Sequence, residues 1–241
     1  MRRSCCREGW WKGPAAAGAK GRGTSGTFTR VKLGGADSSP APAAIFPAAQ
    51  NTVCGPQQLA RLCEAALDAM AREGKVGEML AGDAAGPPSL GSSLVLYEGP
   101  GRRAAKPSRA ARKFWEMFVA EGCLKRLQVQ VHEFLKARNS PAELLPDSPW
   151  RVNLARYDDT GGEELAQFQG MNDHYDMTPH CAVSLSLTGD GGQPGLYWIC
   201  HNERQDLALN AGDIAILARG VLHGVCKVAR KGQRLVMVLF Y

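Results

Sequence analysis

The segment Asn172–Asp173–His174–Tyr175–Asp176 places an imidazole and a carboxylate two residues apart. On a strand, where side chains alternate, His174 and Asp176 point to the same face. Alone the tripeptide is weak, because a chain with five His and 11 Asp in 241 residues carries one by chance about one time in four. A second imidazole, His223 in Leu222–His223–Gly224, follows 49 residues later. Two neutral imidazoles and one carboxylate form the facial triad of non-haem Fe(II) sites, which leaves three coordination positions open. A divalent ion held by one carboxylate keeps positive charge and attracts an anionic chelator to its open side.

Arg234 lies 11 positions beyond His223, across the turn-like Ala229–Arg230–Lys231–Gly232. A two- or four-residue connection would set His223 opposite Val238 and Arg234 opposite Lys227. Arg234 and His223 would then share a face, about 13 Å apart along the strands. A long Arg side chain and a five-carbon dicarboxylate span that gap. A carboxylate between Lys227 and Arg234 would also relieve their repulsion. An ordinary salt bridge is the alternative for Arg234. His132, His180 and His201 are read as hydrogen-bonded structural histidines.

The elements that must position these residues come in two textures. Pro56 opens an amphipathic helix through Leu59, Leu62, Cys63, Ala66, Leu67 and Met70, and a Gly- and Pro-rich loop leads on to the apolar run Leu94–Tyr97. Phe114, Trp115, Phe118 and Val119 give one helical face, and Leu124, Leu127, Val131, Phe134 and Leu135 another, with Gly122 between them, which reads as two helices or one broken helix. After Pro149 short apolar runs alternate with Gly, Asp and Asn: 152–157, 182–187, 196–199, 214–217, 222–228 and 235–241. Strands at such intervals predict a sandwich or barrel rather than a parallel sheet with crossover helices. The division is helical support over 51–147 and a β core over 148–241, an α+β, mainly β domain.

Charge separates the ends. Residues 1–50 carry eight Lys and Arg against Glu8 and Asp37, whereas 51–241 carry 21 cations against 21 acids. The leader is read as disordered; its composition resembles an organellar transit peptide, and an unstructured leader without an address fits it equally. A neutral body argues against a nucleic-acid partner. No apolar stretch suits a membrane span and no secretory signal opens the chain, so an intracellular, soluble protein with mostly free thiols is expected. The eight cysteines lack zinc-finger spacing.

Taken together, His174-x-Asp176, His223 and Gly232-x-Arg234 resemble the 2-oxoglutarate and Fe(II)-dependent oxygenases, as does Ala211–Gly212–Asp213 before the apolar 214–217 run. The helices before the β half and Leu154–Tyr157 look most like the prolyl 4-hydroxylase and lysyl hydroxylase branch. The resemblance implies a double-stranded β-helix, a jelly-roll or cupin-like barrel with supporting helices. It also implies iron held by His174, Asp176 and His223, Arg234 on the distal carboxylate of 2-oxoglutarate, and Tyr157 hydrogen-bonded to that cosubstrate. A Tyr at a strand end also packs with its hydroxyl toward solvent, which is the alternative for Tyr157. The activity implied is hydroxylation of a peptidyl proline or lysine, with O2 consumed, 2-oxoglutarate converted to succinate and CO2, and L-ascorbate as reductant. A small-molecule substrate, a cupin-like metal enzyme without 2-oxoglutarate and a binding module with a decayed iron site are the alternatives.

Overall fold

The computed structural model describes Trp11–Lys12, Thr29–Arg30 and residues 42–73, 75–79, 89–99, 107–141, 145–158, 170–200, 203–226, 228 and 232–241. In chain order the elements are β1 (Trp11–Lys12), β2 (Thr29–Arg30), β3 (Ala43–Phe46), α1 (Pro56–Glu73), β4 (Lys75–Met79), β5 (Ser89–Glu98), α2 (Arg109–Ala120), α3 (Cys123–Lys136) and β6 (Arg151–Asp158). There follow β7 (Met171–His174), β8 (Cys181–Ser186), β9 (Leu196–Cys200), β10 (Glu203–Leu207), β11 (Ile214–Ala218), β12 (His223–Val225) and β13 (Gln233–Phe240).

A nine-stranded sheet runs β1-β2-β3-β11-β8-β13-β6-β5-β4, and a four-stranded sheet runs β10-β9-β12-β7. From β6 onward the chain passes back and forth between them: β6, β8, β11 and β13 lie in the larger sheet, and β7, the β9–β10 hairpin and β12 in the smaller. This winding is a double-stranded β-helix, and it creates an inner face between the two sheets. No helix among the described residues is long and apolar enough to cross a membrane.

Period-two alternation divides the larger sheet. On β6, Val152 and Leu154 join the main core, while Ala155 and Tyr157 belong to a second cluster with Val236. On β13, Leu235, Met237 and Leu239 enter the main core, and Arg234, Val236 and Val238 face the inter-sheet cavity. The main core is completed by Leu62 and Met70 of α1, Phe114 and Phe118 of α2, and Leu127 and Val131 of α3. Each such side chain contributes roughly 1.5–3 kcal/mol through burial. Because both faces of β8, β11 and β13 are largely buried, the sequence there shows near-continuous apolar runs instead of alternation. Ser108 caps α2 by accepting from the Ala111 amide, and of the two readings, two helices or one broken helix, α2 and α3 are the former, separated by the Glu121–Gly122 turn.

Two expectations are corrected. The leader was expected to reach residue 50, yet Ala43–Phe46 is an integral strand, antiparallel to β11 from Ile214↔Phe46 to Leu217↔Ala43. Asp213 accepts from the Ala48 amide, and Asn51 donates to the Phe46 and Gly212 carbonyls, which fastens the segment to the turn before β11. Its Ala-rich sequence carries no periodic signal. Of residues 1–41, only β1 and β2 are among those described. Second, His223 and Arg234 do not share a hairpin. β12 pairs with β7 and β9, whereas β13 pairs with β6 and β8, so Arg234 lies opposite Tyr157 rather than Lys227. The connection crosses between sheets instead of turning within one; Lys227 itself, like His201, lies outside the described residues.

Candidate metal centre

His174 ends β7, Asp176 lies two residues beyond it outside the strand, and His223 opens β12. β7 and β12 are antiparallel with His223 in register with His174, which brings the ring centroids to 4.3 Å. The Asp176 carboxylate lies 3.7 Å from His174 Nε2 and 3.2 Å from His223 Nε2. One ligand atom from each residue falls within 4.8 Å of the others, so these three could hold a metal ion. Both imidazoles are buried, at 7% and 5% exposure. His223 Nδ1 lies 2.9 Å from the Val221 carbonyl; an Nδ1–H donated there leaves Nε2 with its lone pair toward the cluster. Burial opposes ionisation at both His223 and Asp176, but their mutual hydrogen bond and charges prevail. His223 is therefore raised and Asp176 lowered from their ordinary values. A metal ion would compete with the proton on His223.

Residues not singled out from sequence brace the histidines. Tyr197 Oη donates to Asp173 Oδ1 at 2.7 Å, tying β9 to β7 across β12. The hydroxyl passes over Gly224, where a Cβ would lie 2.3 Å from Oη, so the residue after His223 has no room for a side chain. The Arg204 guanidinium stacks 3.8 Å above the Tyr197 ring.

Between the sheets lies a cavity of about 430 Å³ that reaches from the His–Asp–His cluster to Arg234 and Tyr157. That is within the range of small-ligand sites. Its lining is largely apolar, with Ala155, Leu196, Val225, Val236, Val238 and Phe240 among the contributors. Tyr157 is buried, which pushes its phenol up despite the opposing charge of Arg234, and its hydroxyl remains a donor. At the cluster's other flank Tyr175 and Met177, on either side of Asp176, line the same cavity while 52% and 85% exposed.

Arg234 sits at 4% exposure and is engaged on three sides: Nε donates to Asp190 Oδ1 at 2.5 Å, Nη1 to the Cys226 carbonyl at 2.9 Å and Nη2 to the Pro194 carbonyl at 3.3 Å. A guanidinium has five N–H groups, so two remain without an acceptor among the described residues. Asp190 also accepts from the Leu209 amide through Oδ2 at 2.8 Å. The carboxylate occupies space that a side chain at Gly195 would need, since a Cβ there would lie 1.9 Å from Asp190 Oδ2. Gly195→Ala is therefore expected to dislodge Asp190 and loosen Arg234, with a loss of about 1–3 kcal/mol in chemical denaturation. A variant as stable as the wild type would show that the hairpin yields freely. Asp190 precedes a Gly-Gly pair, the only sequence signal that could have drawn attention to it.

The donor set, two imidazole nitrogens and one carboxylate oxygen facing a cavity, fits Fe(II) chemistry. The fold is that of solved oxygenases. A 2OG-Fe(II) oxygenase family oxidoreductase from Burkholderia pseudomallei aligns over 83% of this chain and 84% of its own, at TM-score 0.53 and 15% identity. The non-heme alpha ketoglutarate dependent carbocyclase SnoK from nogalamycin biosynthesis aligns over 83% and 79%, at 0.54 and 8%. A prolyl hydroxylase from Trichoplax adhaerens, solved with a peptide fragment of the hypoxia inducible factor oxygen degradation domain, aligns over 83% of each chain, at 0.51 and 12%. No family model and no curated protein matches the sequence.

Proposed function

We propose that this chain is an Fe(II)- and 2-oxoglutarate-dependent dioxygenase that hydroxylates a C–H bond of a peptidyl proline or lysine. The observation carrying this reading is the convergence of His174, Asp176 and His223 at one end of a cavity whose other end holds Arg234 and Tyr157. Iron, 2-oxoglutarate and O2 would supply oxidative decarboxylation to succinate and CO2 coupled to hydroxylation, with L-ascorbate keeping iron reduced. His174, Asp176 and His223 would hold the iron. The two remaining N–H groups of Arg234, with the Tyr157 hydroxyl, would receive the distal carboxylate of the cosubstrate, and the apolar lining would keep the site dry.

Tyr175 and Met177 support a peptide substrate, because they present exposed apolar surface beside Asp176 at the cavity's edge. The peptide bound by the Trichoplax prolyl hydroxylase, a protein of the same fold, is in keeping with this. The test is incubation of the full chain with Fe(II), 2-oxoglutarate, ascorbate and a library of proline- and lysine-containing peptides, read by mass spectrometry. One added oxygen atom on proline or lysine is expected, at a level that falls in Tyr175→Ala/Met177→Ala. Succinate formation stimulated only by small molecules would overturn the peptide assignment.

The Asp190–Arg234 pair favours one other reading, a cupin-like metal enzyme that does not use 2-oxoglutarate. There Arg234 would serve only to bind the 190–195 turn to β13. Metal-dependent O2 consumption that ignores 2-oxoglutarate would select it.

A further inference from the structure

Away from the cavity, on the helical side of the molecule, two cysteines distant in sequence meet. Cys54 immediately precedes the Gly55–Pro56 opening of α1, and Cys123 is the first residue of α3. Their sulfurs lie 3.5 Å apart, and both are free thiols. Neither residue lines the cavity. Cys123 is fully buried, whereas Cys54 is half-buried and gives the pair its access to solvent.

Arg126, one turn along α3, fixes this arrangement. Its Nη2 lies 3.4 Å from Cys123 Sγ and donates to the Glu121 carbonyl at 3.1 Å and to Gln58 Oε1 at 3.3 Å, while Nε donates to the Val53 carbonyl at 2.9 Å. One guanidinium thus spans the residue before Cys54, the first turn of α1 and the turn before Cys123. It holds a positive charge against the sulfur pair at the N-terminus of a helix, the setting that stabilises a thiolate. The Cys54 S–H bonded to Cys123 sets the two thiols on opposite sides of the ordinary cysteine value: Cys54 above, with burial adding to the rise, and Cys123 below, against the effect of burial. When the pair gives up one proton, Cys123 carries the charge and Cys54 keeps its S–H.

We propose that Cys54 and Cys123 form a redox-active dithiol that closes to a disulfide on reaction with hydrogen peroxide. In the singly deprotonated pair Cys123 accepts the Cys54 proton along their hydrogen bond as the Cys54 sulfur attacks one peroxide oxygen. The O–O bond breaks, hydroxide leaves, and Cys54 becomes a sulfenic acid. Cys123 then attacks the Cys54 sulfur; the S–O bond breaks and the hydroxyl departs as water with the Cys123 proton. One thiolate, one thiol and one peroxide give one disulfide, one water and one hydroxide, two electrons having passed from sulfur to oxygen. Closing the sulfurs from 3.5 Å to bonding distance requires side-chain rotation. The bridge would staple the start of α1 to the start of α3, across a 69-residue separation that includes β4, β5 and α2.

The experiment treats the reduced full chain with stoichiometric hydrogen peroxide under native conditions. Remaining thiols are then alkylated in denaturant, and the chain is digested without reductant for mass spectrometry. A Cys54–Cys123 cross-linked peptide that dithiothreitol cleaves is expected, forming at least about tenfold faster than any pair involving Cys63, Cys181 or Cys226. Arg126→Gln is expected to slow it several-fold, and closure should raise the Tm by several degrees in wild type but not in Cys54→Ser. Cysteines 54 and 123 still fully alkylated after treatment, or cross-links distributed equally among all the thiols, would overturn the proposal. So would stable sulfinic acid at Cys54 without a bridge, since it would show that Cys123 cannot reach the sulfenic sulfur.

Discussion

Arg234→Ala is expected to destabilise the protein by about 3–5 kcal/mol, because it leaves the Asp190 carboxylate unpaired where that side chain is 1% exposed. The pair is held too tightly for the loss to be absorbed locally: Asp190 is anchored by the Leu209 amide and confined by Gly195. The double variant Asp190→Asn/Arg234→Gln removes both charges together and should recover most of that stability. It therefore separates folding from function. Under the proposed function the double variant keeps iron binding and loses about 10- to 100-fold in 2-oxoglutarate-dependent turnover, the loss expected from charge-assisted hydrogen bonds of 1.5–3 kcal/mol. Chemical denaturation of the three proteins, followed by turnover of the double variant, checks both statements. Arg234→Ala as stable as wild type would mean that the buried pair is not maintained in solution, and unchanged turnover in the double variant would remove Arg234 from cosubstrate binding.

Under the proposed function Asp176→Ala should lower Fe(II) affinity by at least about 100-fold, since it removes the only carboxylate of the cluster and the only anion among the three proposed ligands. Folding should survive, because Asp176 lies outside the strands and the two imidazoles it would abandon can remain neutral. Calorimetric titration with Fe(II) under anaerobic conditions, beside a thermal melt of the metal-free protein, reads both effects. Affinity within a few-fold of wild type would show that metal binds elsewhere. His174→Ala is expected to behave alike, since His174 stands opposite His223 across the β7–β12 ladder.

How much of this was legible in the sequence depends on whether the signal was chemical or topological. His174, Asp176 and His223 could be grouped because imidazoles and carboxylates are few and their metal chemistry is specific, and the structure brings them within ligand distance. The amphipathic helices were legible through their apolar spacing, which α1, α2 and α3 reproduce. The pairing of β12 and β13 was not. A short connection between two apolar runs reads as a hairpin whether the chain turns within a sheet or crosses to the other, and here it crosses. Polar strands escaped for a different reason. Glu203–Leu207 holds only exposed and half-buried residues at a sheet edge, so burial leaves no mark on its composition. Lys75–Met79, preceded by Gly74 and containing Gly77, looked like the end of a helix and the loop after it. Asp190 and Tyr197 were missed because their roles are set by contacts, with Arg234 and with Asp173, between residues 44 and 24 positions apart.

The segment 42–53 shows the same limit at the level of domains. Composition separated a basic leader from a neutral body, but a four-residue Ala-rich strand has too few apolar atoms to announce itself. What incorporates it is the backbone ladder to β11 and the buried Asn51 and Asp213 side chains. Any truncation of the chain has to begin before residue 42 to retain them.

The most direct measurement is succinate formation from 2-oxoglutarate by the full chain with Fe(II), ascorbate and O2, without added substrate, beside Asp176→Ala. Slow turnover that requires both iron and 2-oxoglutarate and vanishes in the variant is the expected result. No succinate from a protein that binds neither Fe(II) nor 2-oxoglutarate in parallel titrations would contradict it, leaving a double-stranded β-helix in which His174, Asp176 and His223 meet without the chemistry their arrangement suggests.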